Sequence, residues 1–168
     1  IDPALRIDVV EIDPAVIRLA DQYFNLRSGG NLNIIAGDGV KFINETRNRY
    51  DVIYLDAYLK PSADTNSTGA PLAMRVAQFY ATVRSKLNPG GMVSVNVNRH
   101  AGDAEDLRNL RDAFPQNYVF PLTGEYAVLG STEAHRVEPA ELERRGRELD
   151  QRFNAPLISF YEVARYLQ

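Results

Sequence analysis

The chain has 168 residues, of which 45% are hydrophobic and 24% charged, and its formal net charge is −3. This composition is typical of one globular domain with a sizeable core, and it argues against a nucleic-acid-binding protein, which would need a basic face. The absence of cysteine excludes disulfides, thiolate metal sites and a cysteine nucleophile. No apolar run approaches the roughly 20 residues that span a membrane, and no signal peptide opens the sequence, so we expect a cytoplasmic protein that binds no membrane.

Strands and helices alternate over the first third of the chain. Asp13 followed by Pro14 is typical of a helix start, with Asp13 as the N-cap. The Gly37-Asp38-Gly39 turn leads into a second helix. The apolar patterns predict three strands, over residues 7–11, 32–36 and 50–56, and two helices, over residues 15–24 and 40–45.

The third predicted strand is continuous in apolar residues and ends in an acid. Because its hydrophobic residues do not alternate with polar ones, we expect burial on both faces, as in a parallel sheet, with Tyr54 in the core. Phe79, further along, is also expected in the core. Residues 57–70 are rich in Pro, Ser, Asn, Gly and Thr and are too long for a routine connection, so they are predicted to form a lid or binding loop.

The rest of the chain continues the alternation of helices and strands. His100 and His135 have neither a carboxylate nor a second histidine at ligand spacing, so both are expected at the surface and no metal site is predicted. The order of elements predicts a single α/β domain over residues 1–168, with a mostly parallel sheet and one antiparallel strand at or near its edge. The predicted elements are a helix over 71–87 ended by Asn88-Pro89-Gly90-Gly91, a strand over 92–98, a helix over 103–114, strands over 118–122 and 126–130, and two helices within 138–168.

Three acids follow the first three predicted strands: Glu11, Asp38 and Asp56. In open parallel sheets, ligands bind outside the carboxyl ends of the strands. An acid there can accept hydrogen bonds from both hydroxyls of a ribose, as we expect for Glu11, or from an exocyclic amino group such as that of adenine, as we expect for Asp38. The flanking glycines, Gly39 among them, allow a flat ring to approach the backbone.

Each acid also has a simpler interpretation. Glu11 alone is more often a solvated strand-end residue, Asp38 is as well explained by a helix N-cap, and Asp56 could cap a turn. Their placement at successive strand ends favours a nucleoside-binding site over these separate readings.

Several segments of the sequence are similar to the spermidine synthase family of polyamine aminopropyltransferases. The similarity lies in Val9-Val10-Glu11-Ile12-Asp13-Pro14-Ala15-Val16, Ala36-Gly37-Asp38-Gly39, the strand ending at Asp56, Gln78-Phe79-Tyr80 and Leu87-Asn88-Pro89-Gly90-Gly91. The resemblance implies the Rossmann-like fold of class I S-adenosylmethionine-dependent methyltransferases, with helices on both faces of the sheet.

The resemblance also implies roles for individual residues. Glu11 would hold the ribose hydroxyls, Ile12 would pack against adenine, and Asp38 and Gly39 would lie at the adenine amino group. Asp56 matches the first acid of the family's Asp-x-x-Asp motif and would accept the proton of the attacking amine. The implied co-substrate is decarboxylated S-adenosylmethionine or S-adenosylmethionine itself, with no metal, and the implied partner is a polyamine or other small acceptor.

The sequence departs from the family pattern in two places. Leu59 stands where the motif has its second acid. The family's glycine-rich first strand and loop would precede Ile7, and the sequence, which begins at Ile1 without a methionine, does not contain them. We therefore expect either a fragment of a longer chain or a degenerate relative with an incomplete pocket, and in both cases a fold that lacks the first strand and the glycine loop.

Three functions stay open from the sequence. The first is aminopropyl transfer from decarboxylated S-adenosylmethionine to a polyamine. The second is methyl transfer from S-adenosylmethionine, which the loss of the second acid at Leu59 favours. The third is non-catalytic nucleoside binding, and a homodimer is open in every case.

Overall fold

The strands and helices follow the predicted alternation in a computed structural model that describes residues 4–153 and 157–166. The predictions that fall on residues 1–3, 154–156 and 167–168 lie outside the described residues. The elements are β1 (Ile7–Glu11), α1 (Pro14–Phe24), β2 (Leu32–Ala36), α2 (Gly39–Glu45), β3 (Tyr50–Leu55), a 3-10 turn (Leu72–Met74), α3 (Ala77–Ser85), β4 (Leu87–Asn98), α4 (Asp103–Ala113), β5 (Gln116–Pro121), β6 (Glu125–Ser131), α5 (Pro139–Phe153) and α6 (Phe160–Tyr166).

The strands form two sheets rather than the one continuous sheet expected. β1 and β2 pair in parallel, and the second sheet has the order β3-β4-β6-β5. In the second sheet β3 is parallel to β4, while β6 is antiparallel to both of its neighbours. The prediction of one antiparallel strand near the edge is therefore confirmed by β6. Among the described residues, β1 and β3 each have one hydrogen-bonded neighbour, so each has an open edge.

The first helix begins as predicted but does not bury its apolar face. Asp13 is its N-cap and accepts a hydrogen bond from the amide of Ala15 at 2.7 Å. On the predicted apolar face, Val16 is 47% exposed and Tyr23 is 68% exposed. The periodicity predicted the helix correctly, but no described element covers this side of it.

The main core lies between the second sheet and the helices α2, α3 and α4. Its buried members include Ile43, Phe79 and Leu110, so the expectation for Phe79 is confirmed. Tyr54 is 77% exposed, so its expected place in the core is wrong. Side chains alternate across a strand: Ile53 and Leu55 pack in the core, whereas Val52 and Tyr54 lie on the opposite face and are exposed.

Two predicted boundaries in the middle of the chain are wrong. The helix expected over residues 71–87 is interrupted at Val76, whose backbone is extended, and only Ala77–Ser85 is α-helical. β4 begins at Leu87 instead of after the Pro-Gly-Gly segment. Its pairing with β3 shifts between Tyr50↔Leu87 and Val52↔Met92, so the segment forms a bulge within the strand and not a break before it.

A hydrogen bond links the two sheets near the start of β3. The Tyr50 hydroxyl donates to Asp8 Oδ2 at 2.7 Å, and Asn33 Nδ2 donates to Asp8 Oδ1 at 3.0 Å. The bond from Tyr50, followed by that from Asn33, holds the pKa of Asp8 below its ordinary value of 3.8. The link is therefore strongest when Asp8 is ionised.

We expect Tyr50→Phe to lower the free energy of unfolding by about 1 kcal/mol at neutral pH, the usual worth of one such hydrogen bond. Because the folded pKa of Asp8 is depressed, this difference should be complete above the ordinary aspartate pKa and should shrink as the pH falls through the folded value. Urea denaturation at several pH values measures it. The matched control is Tyr54→Phe in the same strand, and an equal loss in both variants would contradict the account.

Candidate functional site

Glu11 and Asp38 lie at the carboxyl edge of the first sheet. Glu11 ends β1 opposite Ala36, and its carbonyl accepts a hydrogen bond from the Gly37 amide at 3.0 Å. Asp38 follows Gly37 directly and caps α2. The parallel pairing of β1 with β2 thus brings these two predicted acids to neighbouring positions, as the sequence suggested.

Asp38 is the N-cap of α2, one of the two roles left open for it. Its Oδ1 accepts hydrogen bonds from the amides of Val40 at 2.7 Å and Lys41 at 3.0 Å. Among the described residues no hydrogen bond reaches its Oδ2. Glu11 is similar, because its Oε1 accepts from the Asp13 amide at 2.8 Å. Each carboxylate thus uses one oxygen to shape the local turn.

The predicted adenine contacts, Ile12 and Gly39, also lie at this edge. Ile12 is 51% exposed, so an apolar surface is available beside Glu11. A Cβ added at Gly39 would lie 3.3 Å from Met74 Cε, so the backbone there is close to the segment that follows the long loop. Gly39, at the edge of the first sheet, therefore lies next to Met74, which is on the side of the site formed by the second sheet.

A shallow cleft lies at the carboxyl end of β3. It is open to solvent, and its walls include Leu55, Ala57 and Met74. Asp56 lies between Leu55 and Ala57 and is exposed. Met74 thus contributes to the cleft beside Asp56 while its methyl group lies against Gly39.

The three predicted acids are not paired with basic side chains in the described part of the chain. No ion pair there involves Glu11, Asp38 or Asp56, and no hydrogen bond joins any two of their side chains. Carboxylates without an ion-pair partner attract cationic ligands.

The segment between Asp56 and the 3-10 turn, predicted as a lid or binding loop, is folded by its own hydrogen bonds. Asn66 Oδ1 accepts from the Thr68 amide at 3.0 Å, the Thr68 hydroxyl at 2.8 Å and the Ala70 amide at 2.9 Å. The Leu59 amide donates to the Gly69 carbonyl at 2.8 Å. Leu59 itself, which replaces the second acid of the motif, is 42% exposed.

A buried charged cluster behind the cleft was missed by the sequence analysis. Arg75, 7% exposed, lines the cleft, and its Nε lies 3.9 Å from Asp106 Oδ2. His100 Nε2 lies 3.0 Å from the same oxygen, so the expectation of a surface His100 without a carboxylate partner is wrong. His135 is exposed, as expected. One signal for the burial of Asp106 was available in the sequence. Asp106 lies four residues before Leu110, so the two share one face of α4, and both are buried.

The contacts of His100 fix its tautomer. The Gly102 amide donates to Nδ1 at 3.0 Å, so Nδ1 carries no proton. The proton therefore resides on Nε2, where it is donated to Asp106. Asn66 Nδ2 lies 3.1 Å from the same Nε2, which brings the long loop against this cluster.

Tyr58 and Arg75 donate hydrogen bonds to the same backbone carbonyl beside the cleft. Its hydroxyl donates to the carbonyl oxygen of Asn96 at 2.8 Å, and Arg75 Nη2 donates to the same oxygen at 3.3 Å. Burial raises the pKa of the Tyr58 phenol, with the nearby Arg75 acting in the opposite direction. The phenol is therefore held as a hydrogen-bond donor.

Comparison with known proteins gives the family. The spermine/spermidine synthase domain model matches residues 3–128. The chain belongs to the spermine/spermidine synthase family. The resemblance found in the sequence is thereby confirmed.

Relatives of the chain are named for different transfer reactions. The chain is 33% identical over 96 residues, 57% of its length, to a probable polyamine aminopropyl transferase of Bifidobacterium longum, of which it covers 20%. It is 32% identical over 165 residues, 92% of its length, to the eEF1A lysine and N-terminal methyltransferase of Bos taurus, of which it covers 23%. The chain thus spans under a quarter of either relative.

Solved structures show the same fold. Human methyltransferase-like protein 13 in complex with SAH has a TM-score of 0.76 and 29% identity, over 90% of this chain and 72% of that one. Spermidine synthase in complex with the transition-state analogue AdoDATO has a TM-score of 0.62 and 17% identity, over 96% of this chain and 55% of that one. The predicted Rossmann-like class I methyltransferase fold is confirmed, and the family is one of transferases.

Within the described residues, no group of three or more His, Asp or Glu side chains is arranged to hold a metal ion. None of the helices described is long and apolar enough to cross a membrane.

The two roles of Asp38 can be separated by mutation. Asp38→Ala removes the N-cap of α2 and should cost about 1 kcal/mol of unfolding free energy, whereas Asp38→Ser keeps a capping oxygen and should cost only a few tenths. Thermal or urea denaturation of the ligand-free protein measures both. Equal stability losses in the two variants would show that the cap interactions at Oδ1 are not what Asp38 contributes.

Proposed function

We propose that this chain binds the adenosyl group of a sulfonium donor and transfers an aminopropyl group from decarboxylated S-adenosylmethionine to a polyamine. The observation that carries the proposal is the set of uncompensated carboxylates at the carboxyl ends of β1, β2 and β3. Membership of the spermine/spermidine synthase family supports the reaction class. Because the chain spans under half of the curated relatives compared, the reaction of the whole protein is also part of the proposal.

On this proposal each residue at the edge of the first sheet has a specific contact. Glu11 accepts hydrogen bonds from the two ribose hydroxyls with the oxygen that is not used by Asp13. Asp38 accepts from the adenine amino group with Oδ2, since Oδ1 is committed to α2. Ile12 packs on the adenine ring, and Gly39 leaves room for it. A charge-assisted hydrogen bond of this kind contributes about 1.5–3 kcal/mol at best.

Asp56 acts on the acceptor. An aliphatic amine has a pKa of about 10 and is protonated at neutral pH, so it cannot attack until it loses a proton. Asp56 binds the cationic amine and then accepts its proton. The nitrogen lone pair attacks the methylene carbon next to sulfur, the carbon–sulfur bond breaks, and its electron pair neutralises the sulfonium. Most of the acceleration comes from holding the two reactants together.

Methyl transfer from S-adenosylmethionine is the second candidate, with the same binding roles for Glu11 and Asp38. The specific observation in its favour is Leu59, which leaves the cleft without the second acid that would hold a diamine. The similarity to a methyltransferase structure at 29% identity supports it as well. A non-catalytic nucleoside-binding protein is the outcome if neither group is transferred.

The donor can be identified by binding and by product. We expect isothermal titration to give tighter binding of decarboxylated S-adenosylmethionine than of S-adenosylmethionine, and incubation with putrescine to release methylthioadenosine. Release of S-adenosylhomocysteine with an amine acceptor would establish methyl transfer instead. No transfer to any amine would contradict an enzymatic function.

The nucleoside contacts can be tested with Asp38→Ser and Glu11→Gln. Each removes a carboxylate charge and should weaken methylthioadenosine binding by about tenfold or more, as expected for one lost charge-assisted hydrogen bond. The matched control is Glu45→Gln, an exposed acid at the other end of α2. Unchanged affinity in both site variants would place the nucleoside elsewhere.

A further inference from the structure

Arg75 is a buried cation between the cleft and α4. Its guanidinium faces Asp106, but at 3.9 Å the pair is not a close bidentate contact. The Asp106 carboxylate is shared with His100, whose Nε2–H donates to it at 3.0 Å. A buried charge is tolerated only where it is paired and hydrogen-bonded. Asp106 thus makes burial of Arg75 possible. The Nη2 of Arg75 does not bond to Asp106 and donates to another acceptor.

Arg75 Nη2 donates its hydrogen bond on the side of the cleft that carries Asp56. It donates to the Asn96 carbonyl near the carboxyl end of β4, the same oxygen that accepts from the Tyr58 hydroxyl. Tyr58 lies two residues after Asp56, and Arg75 shares the cleft wall with Leu55 and Ala57 on either side of that acid. Arg75 and Tyr58 are therefore linked through one carbonyl beside the segment that carries Asp56.

We propose that Arg75 is a positioning residue, which together with Tyr58 fixes the segment around Asp56 in the orientation that the acceptor amine requires. Its effect on the reaction rests on the proposed function. Two donors on one carbonyl oxygen define the position of Tyr58 relative to β4 more closely than either alone. The donor nucleoside is bound at the edge of the first sheet, which these contacts do not include. Arg75 therefore acts on the acceptor side of the reaction.

The experiment compares Tyr58→Phe, Arg75→Lys and the double variant. Tyr58→Phe removes one hydroxyl, and Arg75→Lys keeps the charge beside Asp106 but loses the planar guanidinium that reaches Asn96. Each single variant should lower kcat/KM for the acceptor by about fivefold, the value of one hydrogen bond, while the Kd of the donor changes by less than about twofold. The double variant should lose less than the product of the two, because both act through one carbonyl.

The matched control is Arg84→Lys, the same substitution on α3 at an exposed arginine that donates to the Ala113 carbonyl. It should leave both parameters unchanged. Additive losses, or equal losses in donor binding and acceptor kinetics, would show a general structural role and overturn the proposal. If Arg75→Lys does not fold, Tyr58→Phe alone still decides, since unchanged acceptor kinetics in that variant would also overturn it.

A second readout separates this proposal from the proposed function. The Leu59 amide, bonded to the Gly69 carbonyl, reports on the segment after Asp56. Its hydrogen exchange should be several-fold faster in Tyr58→Phe and Arg75→Lys than in Arg84→Lys, with the amides of β4 unchanged. If no acceptor is turned over, the proposed function fails, and unchanged exchange at Leu59 would independently contradict the positioning role.

Discussion

The packing of α2 against both β1 and α3 is the constraint on which the candidate site depends. α2 follows β2 directly and buries Ile43 in the core formed with the second sheet, so it ties the edge that carries Glu11 to the edge that carries Asp56. The hydrogen bond from Tyr50 to Asp8 links the sheets again at the start of β3. Asp38, as the N-cap of α2, lies at the start of this connection. The same carboxylate that we propose as a ligand contact thus also stabilises the fold.

Strand polarity made much of the site accessible from the sequence. Parallel strands end at the same edge of a sheet, which is why the pairing of β1 with β2 places Glu11 and Asp38 at neighbouring positions. Local signals were equally reliable: Asp13 before Pro14 indicated the cap of α1, and the Gly37-Asp38-Gly39 turn indicated the start of α2. These features depend on residues that are close in sequence, which is why they could be predicted.

The predictions that failed depend on contacts between distant parts of the chain. The exposed Tyr54 shows that a continuous apolar run does not by itself determine which faces of a strand are covered. His100 lies six residues before Asp106, but Arg75 lies on another segment, and nothing in their spacing indicates that one buried carboxylate holds the other two. The bulge in β4 is likewise visible only in the register with β3. Tertiary packing decided each of these features.

The most direct test of the account is a crystal structure of the protein with methylthioadenosine bound. The account predicts that the ribose hydroxyls lie within hydrogen-bonding distance of Glu11, that the adenine amino group faces Asp38 Oδ2, and that the thioether sulfur points into the cleft beside Asp56. A nucleoside bound away from these carboxylates, or with its sulfur directed away from Asp56, would contradict it.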